Sequence, residues 1–520
     1  MKNSRDRVFN IIKRVQNLKY RLVLDSLIVG LVVGIIIVIH RILLGNLTKV
    51  FEHLYSQGRS NLYMIPIIFI TLIVLGYIVS KMVKREPMIS GSGIPQVEGI
   101  LSKHLEMNWF RVLFYKFIGG LICLGAGLSV GREGPSVQMG ASAGEGIAKG
   151  FKKLDNEEKY LITSGASAGL SAAFNAPLSG VMFALEEAHK NFSPLILLSA
   201  MIASLTADFV SKQFFGMIPS LHFSKLEALP LKYYWALIIL GAIIGVSGVI
   251  FNKGILKTQK LFKDSKLKIE TKIIIPFILA GVVGLICPIL LGGGHDLIIS
   301  LQDGNYTLVV LMTFIVVKFL FTFVSFGSSV PGGIFFPLLV LGALVGNVVG
   351  LICINYLSIP PIYIMNFVVL AMAGHFAAIV KAPITAVILI SEMTGSLDHM
   401  LSLAIVVVVA QLMSDILNGS PIYESLLERL LDNGSSKYQG NHNKKTLLEI
   451  AVHMDSEIDG KLIKEIQWPK NSLVVSIIRG DQEIIAKGNT KIMSGDYITI
   501  IADQSESAEV LDTALSISSS

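Results

Sequence analysis

In Ser129-Val-Gly-Arg-Glu-Gly-Pro-Ser136 a carboxylate, Glu133, stands between two glycines and a proline, directly after an apolar run. At bilayer depth an ionisable group costs about 2.5–3.5 kcal/mol on insertion scales, and those retained there mark ion paths and proton relays. Two further stretches place a glycine break before a helix: Ile89-Ser-Gly-Ser-Gly-Ile-Pro-Gln-Val-Glu-Gly99 and Ser328-Ser-Val-Pro-Gly-Gly-Ile-Phe-Phe-Pro337. In the first, serine at the cap, glycines that let a ligand approach the backbone, and proline in the first turn describe a helix N-terminus with free N–H groups. Such an end attracts an anion. A carboxylate set beside it competes for the same donors, so the chemistry expected of Glu133 is gating of an anion path.

Other polar groups fall inside apolar stretches. Asn175-Ala-Pro177 is expected to kink or restart a helix that ends on the paired carboxylates Glu186 and Glu187, and Glu392 closes a similar helix later in the chain. His375 is expected to be a hydrogen-bonded helix histidine. Arg132 is expected near the mouth of the path, adding to the field that draws anions in. The cysteines, Cys123, Cys287 and Cys353, lack metal-like spacing and read as packing residues. There is no His-Glu-x-x-His, and Asp208 and Asp415 lack motif partners, which argues against a membrane hydrolase. Nothing in the chain points to a metal, an organic cofactor or a nucleic acid partner.

The elements that must position these groups belong to a membrane. Of 520 residues 52% are hydrophobic and only 16% charged, far from a soluble composition. Spans of roughly 17–25 apolar residues recur from about residue 24 to about 418: 26–50, 62–82, 109–130, 166–187, 192–215, 232–252, 273–292, 307–327, 328–346, 364–393 and 400–418. Residues 1–23 are basic, with Val8, Ile11, Ile12, Val15 and Leu18 at helical spacing, and read as a cytosolic amphipathic helix lying on the bilayer. Lys81, Lys84 and Arg85 follow the second span, which places the N-terminus in the cytosol.

An internal repeat organises this region. Ala172-Ala173, Ala176-Pro177 and Glu186 recur as Ala377-Ala378, Ala382-Pro383 and Glu392; Pro135, Gly140-Ala141 and Gly144 recur as Pro337, Gly342-Ala343 and Gly346. Repeats whose helices are interrupted at matching places mark a transport site at the bilayer midplane. The halves run from about 24 to 215 and from about 230 to 425.

Residues 431–445 are polar and read as a linker, and 446–520 as a small α+β domain. Its expected strands are 447–452, 473–479, 483–486 and 497–501, with a turn at Gly480-Asp481 and a short helix over 460–466 capped by Asp459. The fold class is thus an all-α polytopic membrane protein followed by a small α+β cytosolic domain.

Gly91-Ser-Gly-Ile-Pro95, Gly131-Arg-Glu-Gly-Pro135, Gly333-Ile-Phe-Phe-Pro337 and Tyr423 resemble, in order, the anion-binding signatures of the CLC chloride channel and transporter family. The resemblance covers about residues 20–430 and implies a homodimer in which each subunit carries its own pore between two inverted repeats. It implies that Ser92 and Tyr423 hydrogen-bond the central anion, with backbone N–H groups around Ile334 and Phe335 completing the cage. Glu133 resembles the gating glutamate, and Glu187 the internal proton acceptor of the family's exchangers. Together they imply proton-coupled chloride exchange. A passive chloride channel of the same fold is the alternative, and a fluoride/proton exchanger, whose glycine motif typically departs from Gly-Ser-Gly-Ile-Pro, a third. The tail, with Gly460-Lys-Leu-Ile-Lys-Glu-Ile-Gln-Trp-Pro469 and Ser494-Gly-Asp-Tyr-Ile-Thr-Ile500, resembles the C-terminal subdomain of potassium-channel regulators (RCK or TrkA-C type). That implies a prokaryotic chain, regulated in the cytosol by a small ligand such as a cyclic dinucleotide or other nucleotide.

Overall fold

A computed structural model describes residues 18–190, 193–221, 223, 226–303, 306–433, 445–454, 456–470, 472–480, 482–503 and 507–519. Of the expected helix over 1–23, residues 1–17 fall outside them and 18–23 are the start of the first long helix; most of the linker and Asp481 also fall outside. The chain separates into two compact units, Met1–Asn433 and Gly434–Ser520.

Among its described residues the first unit is built from helices. Its first half runs α1 (Leu18–Ser60), α2 (Met64–Arg85), α3 (Ile94–Leu101), α4 (Trp109–Gly125), α5 (Glu133–Gly150), α6 (Asp155–Phe174), α7 (Pro177–Phe183) and α8 (Pro194–Phe215). Its second runs α9 (Tyr234–Asp264), α10 (Ile269–Ile286), α11 (His295–Ser300), α12 (Leu308–Gly327), α13 (Phe335–Leu357), α14 (Ile364–Val380), α15 (Pro383–Thr394) and α16 (Met400–Ile416), followed by α17 (Ile422–Asn433). Among the described residues eight helices are long and apolar enough to cross a membrane. Leu24, Leu27, Leu31 and Ile35 on α1, and Val309, Met312, Val316 and Leu320 on α12, form exposed apolar stripes at helical spacing. Such stripes suit a lipid solvent and would be a liability in water.

Small residues let helices cross closely. A Cβ on Gly140 of α5 would lie 2.1 Å from the Gly165 carbonyl oxygen of α6, and one on Gly346 of α13 would lie 2.4 Å from the Phe367 carbonyl of α14. The repeated glycines of the sequence therefore mark the same crossing in both halves. Asn175 ends α6 and Lys381 ends α14 in the same left-handed conformation (φ 56° and 69°), and Pro177 and Pro383 restart the chain as α7 and α15. The restart expected at Asn175-Ala-Pro177 is thus present, and the segment expected over 364–393 likewise divides into two helices.

Carboxylates tie the halves together reciprocally. Glu186 accepts from the N–H of Ile384 and Thr385 and from the Thr385 hydroxyl, at 3.2, 2.8 and 2.7 Å. Glu392 accepts from the N–H of Leu178 (3.0 Å) and Ser179 (2.7 Å) and from the Ser179 hydroxyl. Each carboxylate caps the Ala-Pro helix of the other repeat, where orphan N–H groups and the positive end of the helix dipole favour a negative charge.

The second unit is a four-stranded antiparallel sheet in the order β1-β4-β2-β3, with β1 Lys445–Ala451, β2 Ser472–Arg479, β3 Gln482–Ile485 and β4 Tyr497–Asp503. Leu448 faces Ile500 and Ile450 faces Ile498 across β1 and β4, and Val510 and Ala514 of a terminal helix α18 (Ser507–Ser519) complete the core. Two expectations change. The terminal helix was not anticipated. The helix expected over 460–466 is a single 3-10 turn, Ile463–Glu465, because the backbone there is used elsewhere: Ile463 N–H donates to Thr490 O and Ile492 N–H to Lys461 O. Asp459 does not cap it and accepts instead from the Ser494 N–H at 2.8 Å.

Candidate anion pathway

Three helix beginnings meet at one place. Gly131 and Gly333 exchange backbone hydrogen bonds of 2.6 and 2.8 Å, while Gly91 donates to Val330 O (3.1 Å) and accepts from Gly332 (3.0 Å). These bridges hold the open N-termini of α3, α5 and α13 against one another. In α13 the first intrahelical bond runs from Leu338 N–H to Ile334 O, so the N–H groups of Ile334, Phe335 and Phe336 belong to the open end. In α5 the equivalent bond runs from Ser136 to Arg132 O. The helix therefore starts at Glu133, and Pro135 is tolerated in its first turn because it lacks only an N–H that has no intrahelical partner anyway.

Buried lysines brace the glycine turns. Lys116 Nζ donates to the carbonyls of Ile89 (2.8 Å) and Gly91 (2.7 Å), and Lys318 Nζ to those of Leu290 (2.9 Å) and Gly292 (2.7 Å). Gly91 and Gly93 (φ 63° and 97°) are matched by Gly292 and Gly294 (φ 61° and 96°). Sequence reasoning missed this correspondence, because the second copy reads Gly-Gly-Gly. A lysine inside an apolar run after each glycine turn was the available signal.

The cap of α3 is Gly93, in the left-handed region, and not Ser92. This frees the serine hydroxyl. Ser92 is buried without a hydrogen-bond partner, and a Cβ on Gly134 would lie 2.3 Å from its Oγ. Tyr423, near the start of α17, is also fully buried with an unpartnered hydroxyl. It lies near Ser92 without forming a hydrogen bond of normal geometry, and within electrostatic range of both Glu133 and Glu187. Its ring meets Phe183 edge-on, and Phe183, Phe174 and Phe376 pack around Phe335.

Glu133 is buried, and its carboxylate folds back toward α13. A Cβ on Gly131 would lie 2.2 Å from Glu133 Oε2 and 3.1 Å from the Phe336 nitrogen. The carboxylate is close to the Phe336 N–H but outside hydrogen-bond geometry.

Glu187 sits in a π-helical turn, Ala184–Ala188, that follows α7. It is buried with Oε1 unpartnered, while its neighbour Glu186 points to α15. Lys190 bridges Glu98 (2.5 Å) and Glu424 (2.6 Å) beside it. His375 stays out of this group: its Nδ1 donates to Leu338 O at 2.6 Å and its Nε2 meets Ser247 Oγ at 3.2 Å.

Two cavities approach from different sides. One, of about 650 Å³, is lined by Glu133, Arg132, Arg41, Asn175, His295 and Phe336 among others. The other, of about 510 Å³, reaches Ser92 past Lys260, Lys263, Lys272 and Arg429. Glu133 and Ser92 thus lie at the inner ends of separate vestibules, with Gly134 between them.

Broken helices from two repeats, whose open ends face buried unpartnered hydroxyls and a carboxylate, define a multi-pass membrane protein with a candidate ion site between its repeats. The chain belongs to the voltage gated chloride channel family, whose profile matches residues 70–415. A TrkA-C domain profile matches residues 447–514. Its relatives include an H(+)/Cl(-) exchange transporter ClcA of Yersinia pseudotuberculosis serotype IB (strain PB1/+), 36% identical over 389 residues, covering 73% of this chain and 81% of that protein. Another ClcA, from Vibrio parahaemolyticus, is 38% identical over 366 residues, 68% of this chain and 77% of the relative. The crystal structure of a slow cyanobacterial Cl-/H+ antiporter superposes with a TM-score of 0.76 at 30% identity, covering 80% of this chain and 99% of that one. The fold is that of the CLC proteins, and the family is one of ion transport and not of enzymes.

Proposed function

We propose that this chain exchanges chloride for protons across a cell membrane. The observation that carries this reading is the convergence of Ser92, Tyr423 and Glu133, three buried polar side chains without partners, on open helix ends between two vestibules. Chloride is large and weakly hydrated, so hydroxyls and helix N–H groups hold it without the trapping that a direct lysine or arginine contact would bring. Ser92, Tyr423 and the N–H groups around Ile334 and Phe335 take the central anion in this scheme. Glu133 competes for the outer end of the path as a carboxylate and leaves it when protonated, so anion passage and proton uptake alternate. Glu187 passes the proton on toward the cytosol.

The relatives named as exchangers support this reading over a passive channel. In this scheme both termini are cytosolic, the protein is a bacterial homodimer of independent pores, and the tail binds a small regulatory ligand such as a cyclic dinucleotide or other nucleotide. The domain limits follow the compositional breaks: the membrane domain over about 24–430, a linker over 431–445 and the regulatory domain over 446–520.

In proteoliposomes holding a chloride gradient, the wild-type protein should drive protons against their own gradient. Glu133→Gln should keep chloride moving and abolish proton movement. Chloride flux in the wild type with motionless protons would overturn the exchanger reading.

A further inference from the structure

On the Glu133 side of the pathway stand two guanidinium groups that form no salt bridge among the described residues, although Glu133 and Arg132 sense each other's charge. Arg41, on α1, and Arg132 line the same cavity and lie within Coulombic range of each other. Both are anchored on the C-terminal end of α6. Arg41 Nη1 donates to Ala172 O (2.6 Å), Asn175 Oδ1 (2.9 Å) and Ser211 Oγ (2.8 Å), and its guanidinium lies 3.8 Å from the centre of the Phe215 ring. Arg132 Nη2 donates to Ala173 O at 3.2 Å. These anchors are carbonyls, an amide and a hydroxyl, so they fix position without neutralising charge.

Among the described residues, neither arginine has a carboxylate at ion-pair distance. Asp208, which senses Arg41, is committed to Lys212 at 2.7 Å. Glu133 interacts with Arg132 through space but turns its carboxylate toward Phe336, leaving the guanidinium unpaired at contact distance. Glu52, Asp296, Lys49 and His295 also line the cavity, and Glu52 interacts chiefly with Asp296 and Lys49. Two like charges fixed in a low-dielectric wall focus the field on a counter-anion. Asn175 adds a neutral donor: Arg41 has donors only, so the amide presents Oδ1 to it and leaves Nδ2 for the cavity that Asn175 lines.

We propose that Arg41, Arg132 and the Asn175 amide form a capture site for a monovalent anion such as chloride, just outside the seat of Glu133. The site holds the next anion in line and delivers it when the protonated carboxylate leaves. The anchors already occupy part of the donor capacity of both guanidinium groups, leaving few N–H groups for the anion, which lets the site attract it without trapping it. This assignment rests on the chloride-exchange reading.

The test uses full-length protein at low density in vesicles, sorted to one orientation by an affinity tag on the tail, with chloride varied on one face at a time. Arg41→Gln should raise the chloride concentration for half-maximal flux from one face by about tenfold or more at low ionic strength. The other face and the proton-to-chloride ratio should be unchanged, and Arg41→Lys should recover most of the loss. A shift equal on both faces, no shift on either, or a loss that Arg41→Lys does not recover would overturn the capture site. Lower thermal stability of Arg41→Gln without facial asymmetry would assign Arg41 to capping α6 alone, and so also overturn it. A wild type that carries no chloride defeats the parent reading; a wild type that carries chloride, with symmetric variants, defeats only this one.

Discussion

Gly131→Ala adds one methyl group at the position where the Glu133 carboxylate rests. The new carbon would lie 2.2 Å from Oε2, more than about 1 Å inside a comfortable contact. Gly131 does not occupy the left-handed region, so alanine can adopt its backbone. The next nearest atoms, the Phe336 nitrogen at 3.1 Å and Cβ at 3.3 Å, need to give by only a few tenths of an ångström. The group that must move is therefore the far end of a flexible side chain, and folding should survive. What the carboxylate loses is its approach to the N–H groups at the head of α13, a charge–dipole contact with an open, partly buried helix end, about 1–2 kcal/mol. At about 1.4 kcal/mol per decade, the balance between seated and displaced carboxylate should shift on the order of 5- to 30-fold toward displaced. Paired chloride and proton flux in proteoliposomes should then show fewer protons per chloride, approaching Glu133→Gln, with a melting temperature in detergent close to wild type. Wild-type coupling in a folded Gly131→Ala protein would refute the seat assigned to the carboxylate. Loss of folding would show that the α13 backbone, and not the glutamate, fills the space.

Two predictions concern stability. Glu186→Gln and Glu392→Gln each remove a charge and an acceptor from a cap made of two N–H groups and a hydroxyl, at a cost of about 1–3 kcal/mol each. Thermal unfolding in detergent should show both losses at similar size, and a negligible change for either would refute the reciprocal cap. In the tail, Asp496 accepts both Arg479 Nε and Nη2 at 2.8 Å and holds the guanidinium above its ordinary pKa. Because the buried carboxylate also accepts from the Met493 N–H, Asp496→Asn should destabilise the tail by about 1–3 kcal/mol. Hydrogen exchange on β2 and β4 reads this directly, and unchanged protection there would count against it.

Much of the helical scaffold was legible without coordinates. Apolar runs long enough to span, and the breaks at Gly131, Asn175-Ala-Pro177 and Ala382-Pro383, follow from local chemistry: chain length against bilayer thickness, and proline's missing N–H. The tail was legible in its strands, where alternation is a local signal, but not in α18, nor around 460–466, where non-local pairing decides the backbone. In the candidate site the residue types were visible and their partners were not. Ser92 looked like a cap, and the left-handed Gly93 took that role.

Glu133 itself shows where the division falls. A carboxylate between glycines after an apolar run is a costly placement that the sequence alone exposes, because the cost depends on depth and local chain. Its seat against Phe336, the struts from Lys116 and Lys318, and the exchange of Glu186 and Glu392 between repeats were decided only by the tertiary structure. Each joins groups far apart in the chain, and a polar atom's partner is set by whatever the packed helices bring within about 3 Å of it.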